Sequence, residues 1–310
     1  MNSLKKNMVI AGGSGLVGRH FVSGINLEQY NVYVLTRTKK PVKAGINYIV
    51  WDPSKLYIDP SLPDADIIIN LAGEGIADQR WTHNRKIQLL ESRTQSAKTL
   101  VHWIKTKHFR PSLCIGASAV GYYGHRGDEL LTESSSPGKE FMSDICLQWE
   151  KANSELKELS DRFVLLRIGI VLSKYGGALP KLLMTKNFGF LSYFGDGRQY
   201  YPWIHIRDLS NIMKEAIENN AMSGIYNAVA PQEITNKDCM VSVQQRLKNI
   251  FLILPVPAIF LKLALGSMSK VVLNSNRVIP QRLLEEGFRF LFSDFGLAVK
   301  DVTEGNENTF

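Results

Sequence analysis

Cysteine is scarce in this 310-residue chain: Cys114, Cys146 and Cys239 are the whole complement. They stand far apart, form no CxxC pair and have no neighbouring His, which argues against a disulfide framework or a zinc module. Free buried thiols are the expectation. Long apolar runs are also missing. The most apolar stretch, Ile250 to Leu265, is broken by Pro255, Pro257 and Lys262 and falls short of the ~18–20 residues a membrane span requires. It reads as a buried strand end followed by a core helix, with a contact on a membrane surface as the alternative. Met1 to Met8 carries no apolar signal core, so a cytoplasmic location is expected. No helix-turn-helix, zinc pattern or aromatic-interleaved basic stripe is found, so nucleic acid is not an expected partner. Internal repeats and low-complexity linkers are absent.

What is present is an ordinary globular composition, 45% apolar and 21% charged. There are 37 Lys+Arg against 29 Asp+Glu, a net charge of +8. The excess is local. The first 40 residues hold Lys5, Lys6, Arg19, Arg37, Lys39 and Lys40 against Glu28 alone. The last ten hold Asp301, Glu304 and Glu307.

Short apolar runs bounded by turn residues read as strands at Met8–Ala11, Val32–Thr36, Tyr48–Val50, Ile67–Leu71, Leu113–Gly116 and Val164–Ile168. Helical patterns fall between them at Gly15–Leu27, Asn84–Lys107 and Phe141–Leu159. This alternation predicts an α/β fold, a Rossmann-type doubly wound parallel sheet. Residues 1–170 would form most of that domain. Residues 171–302 would form a smaller α/β lobe with a helical C-terminal region, and the last sheet strands can come from this part. Helices are expected at Asp208–Asn219, at Asn236–Lys248, from Pro257 to about Leu273 and at Gln281–Glu286, and a strand at Ile225–Val229. Residues 303–310 read as a frayed tail.

The strongest chemical signal is Gly12-Gly13-Ser14-Gly15-Leu16-Val17-Gly18, which follows a strand and opens a helix. Gly12 permits a tight turn, Gly15 lets a diphosphate approach the backbone, and Gly18 lets the helix pack closely. The amides of Leu16 and Val17 stand at the helix N-terminus, where an anion is favoured. An NAD-selective site places an acid about 20 residues further on. Here the second strand ends in Thr36-Arg37-Thr38-Lys39-Lys40 with no acid. Arg37 can stack on adenine and pair with a 2′-phosphate, and Thr36 can add a hydrogen bond. NADP(H) is therefore expected over NAD(H), the alternative being a solvated basic loop.

Beyond the glycine loop, several blocks carry a family resemblance: Asn70-Leu71-Ala72-Gly73-Glu74 with Arg80-Trp81; Ser92-Arg93; Ser118-Ala119-Val120-Gly121-Tyr122-Tyr123-Gly124; Trp149-Glu150; Leu166-Arg167; Trp203-Ile204-His205-Ile206-Arg207-Asp208; and Arg277-Val278-Ile279-Pro280 through Phe288. From Met8 to about Lys300 the chain resembles an extended short-chain dehydrogenase/reductase, of the atypical epimerase-family branch that is similar to nucleoside-diphosphate-sugar epimerases. The resemblance implies that Leu71, Ala72, Gly73 and Ile170 line the cofactor and that Arg93 lies near its diphosphate. It implies an oxidoreductase or epimerase acting on a small, nucleotide-linked or carbonyl/hydroxyl substrate. It also admits a homodimer through the two long helices.

Active members of that superfamily use Ser or Thr with a Tyr and a Lys four residues apart, the Lys lowering the Tyr pKa so that it shuttles a proton. Aligning Trp149-Glu150 with the end of that motif puts Met142 at the Tyr position and Cys146 at the Lys position. Neither does the standard work. Ser118 survives at the serine position, to bond a substrate oxygen or the backbone. Tyr122 is a replacement phenol or a packing aromatic. Cys146 has no adjacent His to make it a nucleophile. Glu74 reads as a base, a hydroxyl ligand or a helix cap. His205 and Arg198 are substrate-site candidates, the first as a general acid or a structural histidine, the second as a phosphate ligand or a loop residue. Asp208 is expected to cap the helix that follows. Loss of the Tyr/Lys pair leaves a second reading open: a non-catalytic protein that senses NADP(H).

Overall fold

The first strand is buried on both faces. Met8 and Ile10 enter one core cluster, Val9 and Ala11 the other. Ile67 and Ile69 alternate with Ile68 in the same way. A strand covered on both sides needs apolar residues at every position, which is why these segments lack polar alternation.

The computed structural model describes residues 5–247 and 252–304. Its strands are β1 (Lys6–Ala11), β2 (Tyr30–Thr36), β3 (Ile46–Asp52), β4 (Tyr57–Ile58), β5 (Ile67–Asn70), β6 (Leu113–Ala119), β7 (Leu130–Leu131), β8 (Phe163–Ile168), β9 (Ile170–Ser173), β10 (Gly176–Gly177), β11 (Phe190–Phe194), β12 (Trp203–His205), β13 (Gly224–Ala228), β14 (Leu252–Val256) and β15 (Arg277–Val278). Its helices are α1 (Leu16–Ser23), α2 (His83–Lys107), α3 (Phe141–Glu158), α4 (Leu179–Leu182), α5 (Ile206–Glu218), α6 (Asn236–Leu247), α7 (Ala258–Leu265), α8 (Lys270–Leu273), α9 (Gln281–Glu285) and α10 (Phe295–Glu304).

Eight strands form the main sheet in the order β13-β8-β6-β5-β1-β2-β3-β4. All pairings are parallel except β3 with β4. Helices α1 and α5 cover one face through Phe21, Leu209, Ile212 and Met213. Helices α2 and α3 cover the other through Leu100, Ile104 and Leu156. This is the doubly wound arrangement expected from the sequence. The chain runs outward from β1 in both directions, so a crevice opens at the carboxyl ends of β1 and β5.

The sheet's last strand, β13, and its helix α5 come from beyond residue 170. The smaller lobe has its own core, in which Leu172, Leu191, Trp203 and Met240 meet Phe295 and Val299 of α10.

Four local expectations are corrected. Residues 252–265, the described part of the Ile250–Leu265 stretch, are not core. Leu252 and Leu254 of β14 and most of α7 lie at the surface, because β14 pairs only with β11 in a two-stranded ribbon. Ile250 itself lies outside the described residues. The helix expected from Pro257 to Leu273 is broken at Gly266, whose φ of 59° leaves the helical region. The tail is helical through Glu304, so Thr303 belongs to α10, while residues 305–310 lie outside the described residues. Finally, His205 and not Asp208 caps α5, with Nδ1 accepting from the Arg207 amide at 3.2 Å. Asp208 instead accepts the amides of Leu291 and Phe292 at 2.7 and 2.9 Å, tying the C-terminal segment to α5.

Candidate functional site

The glycine loop joins β1 to α1, and contact distances explain its composition. Gly12 has φ +79°. A Cβ there would lie 2.6 Å from the Leu71 carbonyl carbon and 2.8 Å from the Ala72 nitrogen. The loop after β5 thus presses directly on the loop after β1. A Cβ on Gly18 would stand 2.3 Å from the Gly12 carbonyl oxygen, so α1 can lie against the turn only without one. At Gly15 the nearest atom to such a Cβ is the Gly12 oxygen at 3.3 Å, the least crowded of the three. Gly15 caps α1 without a side chain. The amides of Leu16, Val17 and Gly18 lack carbonyl partners four residues back, as at any helix start. That leaves a donor cradle at the positive end of the helix dipole.

Three segments border this cradle. Leu71 donates its amide to Ala11 at 2.9 Å. Gly73 packs against the Arg93 side chain, which is buried and donates to the Leu89 and Glu74 carbonyls at 2.8 and 2.9 Å. Arg93 thereby fixes the loop after β5, with its guanidinium 5.0 Å from the Trp149 ring. From the other lobe, Gly176 and Gly177 approach the Leu16 side chain. Ile170 begins β9 beside them and donates to the Pro202 carbonyl at 2.7 Å. At the end of β2, Arg37 is exposed. The Thr36 hydroxyl donates to the Thr38 carbonyl at 2.6 Å, so it shapes the turn that presents Arg37.

A second cluster lies at the end of β6. Ser118, Met142 and Cys146 converge on the loop of Gly121. A Cβ on that glycine would be 3.2 Å from Met142 Cε and 3.6 Å from Cys146 Sγ. The positions that resemble the serine, tyrosine and lysine of the superfamily are therefore adjacent in space. The Ser118 hydroxyl donates to Glu150 Oε1 at 2.7 Å. Arg167 grips both oxygens of Glu150, at 2.9 and 3.0 Å. It also donates to the Tyr123 hydroxyl at 3.0 Å and lies 3.4 Å from the centre of the Tyr122 ring. Tyr123 donates in turn to Asn227 at 2.6 Å. Burial and the Glu150 charge push the Cys146 thiol up to about 12, with Arg93 opposing. Burial likewise raises the Tyr123 phenol to about 12. Both groups are protonated at neutral pH.

The other candidates stand apart from this cluster. The Glu74 carboxylate pairs with Arg85 of α2, and α2 is capped by Thr82, so Glu74 is an ion-pair partner and not a cap. His205 is fully buried, stacked 3.9 Å from the Phe292 ring and 3.3 Å from Asp301. Burial, with Arg207 and His20 nearby, lowers its pKa to about 3. Of the two expectations for His205, this neutral, enclosed imidazole fits the structural histidine. Arg198 is exposed in the loop after β11, and its amide bonds the Asp196 carboxylate.

Sequence reading missed the Glu150–Arg167 pair and its hold on Ser118. The signal was available: Arg167 is a charge inside the otherwise apolar run Val164–Ile168, and a buried charge requires a partner. It also missed Asn70 and Asn153, which bond each other at 3.1 Å and clamp α3 to β5 and β6.

The parallel sheet, its reversal at β1 and the crowded glycine turn define a Rossmann-type protein of the epimerase and short-chain dehydrogenase class. Residues 8–228 match the NAD dependent epimerase/dehydratase family, and the chain belongs to that family. Residues 256–302 match a domain of unknown function, DUF1731. Epimerase family protein YfhF of Bacillus subtilis is 32% identical over 298 residues, covering 96% of this chain and 97% of its own. A crystal structure of human epimerase family protein SDR39U1 (isoform 2) with NADPH superimposes with a TM-score of 0.85 at 28% identity, covering 96% of this chain and 99% of the human one. The nucleoside-diphosphate sugar epimerase from Corynebacterium glutamicum gives a TM-score of 0.76 at 32% identity over 96% of this chain and 58% of its own.

Proposed function

We propose that the chain binds NADP(H) across the crevice at β1 and β5 and acts there on a small carbonyl or hydroxyl compound, nucleotide-linked sugars included, as an oxidoreductase or epimerase. The observation that carries the cofactor reading is the glycine turn: Gly12 and Gly18 are crowded to the exclusion of any side chain, while Gly15 and the first amides of α1 remain approachable. Those amides would hold the diphosphate. Leu71, Ala72, Gly73 and Ile170 would line the cofactor, with Arg93 bracing the loop beside it. Arg37, exposed with no acid beside it, would take the 2′-phosphate. The human relative described with NADPH supports the same choice.

When bound, the nicotinamide supplies or accepts hydride. The chain's own part differs from the superfamily's. Met142 and the protonated Cys146 transfer no proton at neutral pH. Ser118 has its proton turned to Glu150, so towards a ligand it offers lone pairs and accepts from a hydroxyl. Tyr122 is the phenol nearest this cluster that is not fully enclosed, and any protein-borne proton for the reaction would come from it. A homodimer through α2 and α3 and a cytoplasmic setting belong to the same reading.

One observation favours a second reading, a protein that senses NADP(H) without chemistry: Ser118 and Cys146 are both buried inside the closed Glu150–Arg167 network. A panel of sugar nucleotides and carbonyl compounds, followed by cofactor absorbance, separates the two. The enzyme reading expects NADPH consumption with at least one compound and its loss in Tyr122→Phe. No turnover on any compound, with NADP⁺ and NADPH bound at different affinities, would replace it by the sensor.

A further inference from the structure

Helix α7 is apolar at every position but Lys262 yet lies at the surface. Of Ala258-Ile259-Phe260-Leu261-Lys262-Leu263-Ala264-Leu265, only Leu261 is buried, while Phe260 and Leu263 are 62% and 69% exposed. A helix with a single charged residue and apolar side chains all round it is normally found in a core or against lipid. The preceding strand continues the same surface. Ile253 turns into the small lobe's core, and Leu252 and Leu254 turn out. Across the ribbon Phe190 pairs with Leu252. Its ring lies 6.5 Å from that of Phe188, which is 80% exposed. Pro257 joins this strand directly to α7.

Charge decides what covers it. Residues 162–195 and 239–284, which supply these side chains, contain no Asp or Glu, and the nearest acid along the ribbon is Asp196, next to Gly195, whose amide bonds the Val256 carbonyl at the end of β14. Their lysines are Lys174, Lys181, Lys186, Lys248, Lys262 and Lys270, Lys248 lying outside the described residues. Lys270 pairs with Glu140 of α3, and Lys181 reaches the Ala77 carbonyl. Lys186, two residues from Phe188, and Lys262 of α7 make no ion pair among the described residues, while Lys174 stands apart at the β9–β10 turn, whose Gly176 lies against Leu16. From the neighbouring loop, Arg80 adds another cation, donating to the Leu263 carbonyl. Two copies meeting through this face would set Lys262 and its neighbours against themselves. An anionic lipid surface instead accepts both features. The apolar side chains enter the acyl boundary, and the lysines reach the headgroups along their own stems.

We infer that the face formed by α7, β14 and Phe188 docks peripherally on anionic phospholipid, without spanning it. The inference stands apart from the cofactor reading, since it uses none of the glycine-loop residues.

Flotation of the full chain tests it, with vesicles of phosphatidylcholine alone against equal parts phosphatidylcholine and phosphatidylglycerol. Flotation is expected on the anionic vesicles only and should weaken as salt rises. Phe260→Ser with Leu263→Ser should lower partition about tenfold or more, and Lys262→Gln about fivefold. These side chains are exposed, so melting temperature and NADPH affinity should not change. Absence of flotation at low salt would overturn the inference. So would equal flotation on both vesicles. A dimer that the Phe260/Leu263 variant converts to monomer, seen by sedimentation velocity without lipid, would assign the face to a second copy and overturn it as well.

Discussion

Replacing Glu150 by Gln removes the one carboxylate that neutralises Arg167. The arginine side chain is 2% exposed, and Glu150 takes its Nε and one terminal nitrogen at 2.9 and 3.0 Å. Burial works against the Arg167 charge, and the bonds to Glu150 outweigh it and hold the group protonated. Gln keeps the shape but turns an NH₂ towards the guanidinium, so one bond is lost and two donors face each other. Breaking one partner of a buried pair costs about 3–5 kcal/mol. The Tyr123 hydroxyl, the Glu133 carbonyl and the Tyr122 ring remain against Arg167, which puts the expectation near the lower end, about 3 kcal/mol. That is a large share of the stability of an ordinary domain, about 5–15 kcal/mol. Urea unfolding reads it as a lower midpoint at unchanged slope. Adding Arg167→Met should restore part of the loss, because the unpaired charge goes with it. A shift below about 0.5 kcal/mol, within the range of ordinary surface substitutions, would mean that Glu150 does not compensate the buried Arg167 charge, and strict additivity of the two changes would mean the same.

Two further outcomes follow from packing and titration. Gly18→Ala sets a Cβ against the Gly12 carbonyl oxygen at 2.3 Å, so it should destabilise by about 1–3 kcal/mol and weaken NADPH binding together, measured by melting and titration. Gly15→Ala meets only one atom, at 3.3 Å, and should lose cofactor affinity with little change in melting. Buried His205 has its pKa lowered from 6.5 to about 3. Below pH 6.5 the unfolded chain binds a proton that the folded one does not, so stability is full above that pH and falls as pH drops towards the folded value. The slope is about 1.4 kcal/mol per pH unit. His205→Asn keeps a capping oxygen and should flatten the stability profile between pH 6.5 and about 5, above the carboxylate range.

The Rossmann body was legible because its signals are local. Apolar strands, the glycine spacing and the strand-to-helix order survive without knowledge of neighbours. That Met142 and Cys146 share one helix face is legible for the same reason, since four residues on a helix fix it. What stayed hidden depends on distant partners. Asp208 looks like a cap in sequence, and only the return of Leu291 and Phe292 gives it another task. His205 reads in sequence as a general acid or a structural histidine, and its enclosure by Phe292 and Asp301 depends on the distant C-terminal segment. Glu150 and Arg167 were each visible, but their pairing joins α3 to β8. The apolarity of 250–265 points to burial in sequence because hydropathy reports composition and not cover. In the fold residues 252–265 form an edge ribbon and an exposed helix.

Paired titrations with NADPH and NADH read whether the crevice takes a 2′-phosphorylated dinucleotide. A charge-assisted contact from Arg37 to the 2′-phosphate contributes about 1.5–3 kcal/mol, so NADPH should bind about tenfold to a hundredfold more tightly than NADH. Arg37→Glu should erase that difference while leaving NADH binding in place. Equal affinity for the two cofactors, or NADPH affinity untouched by Arg37→Glu, would contradict the account.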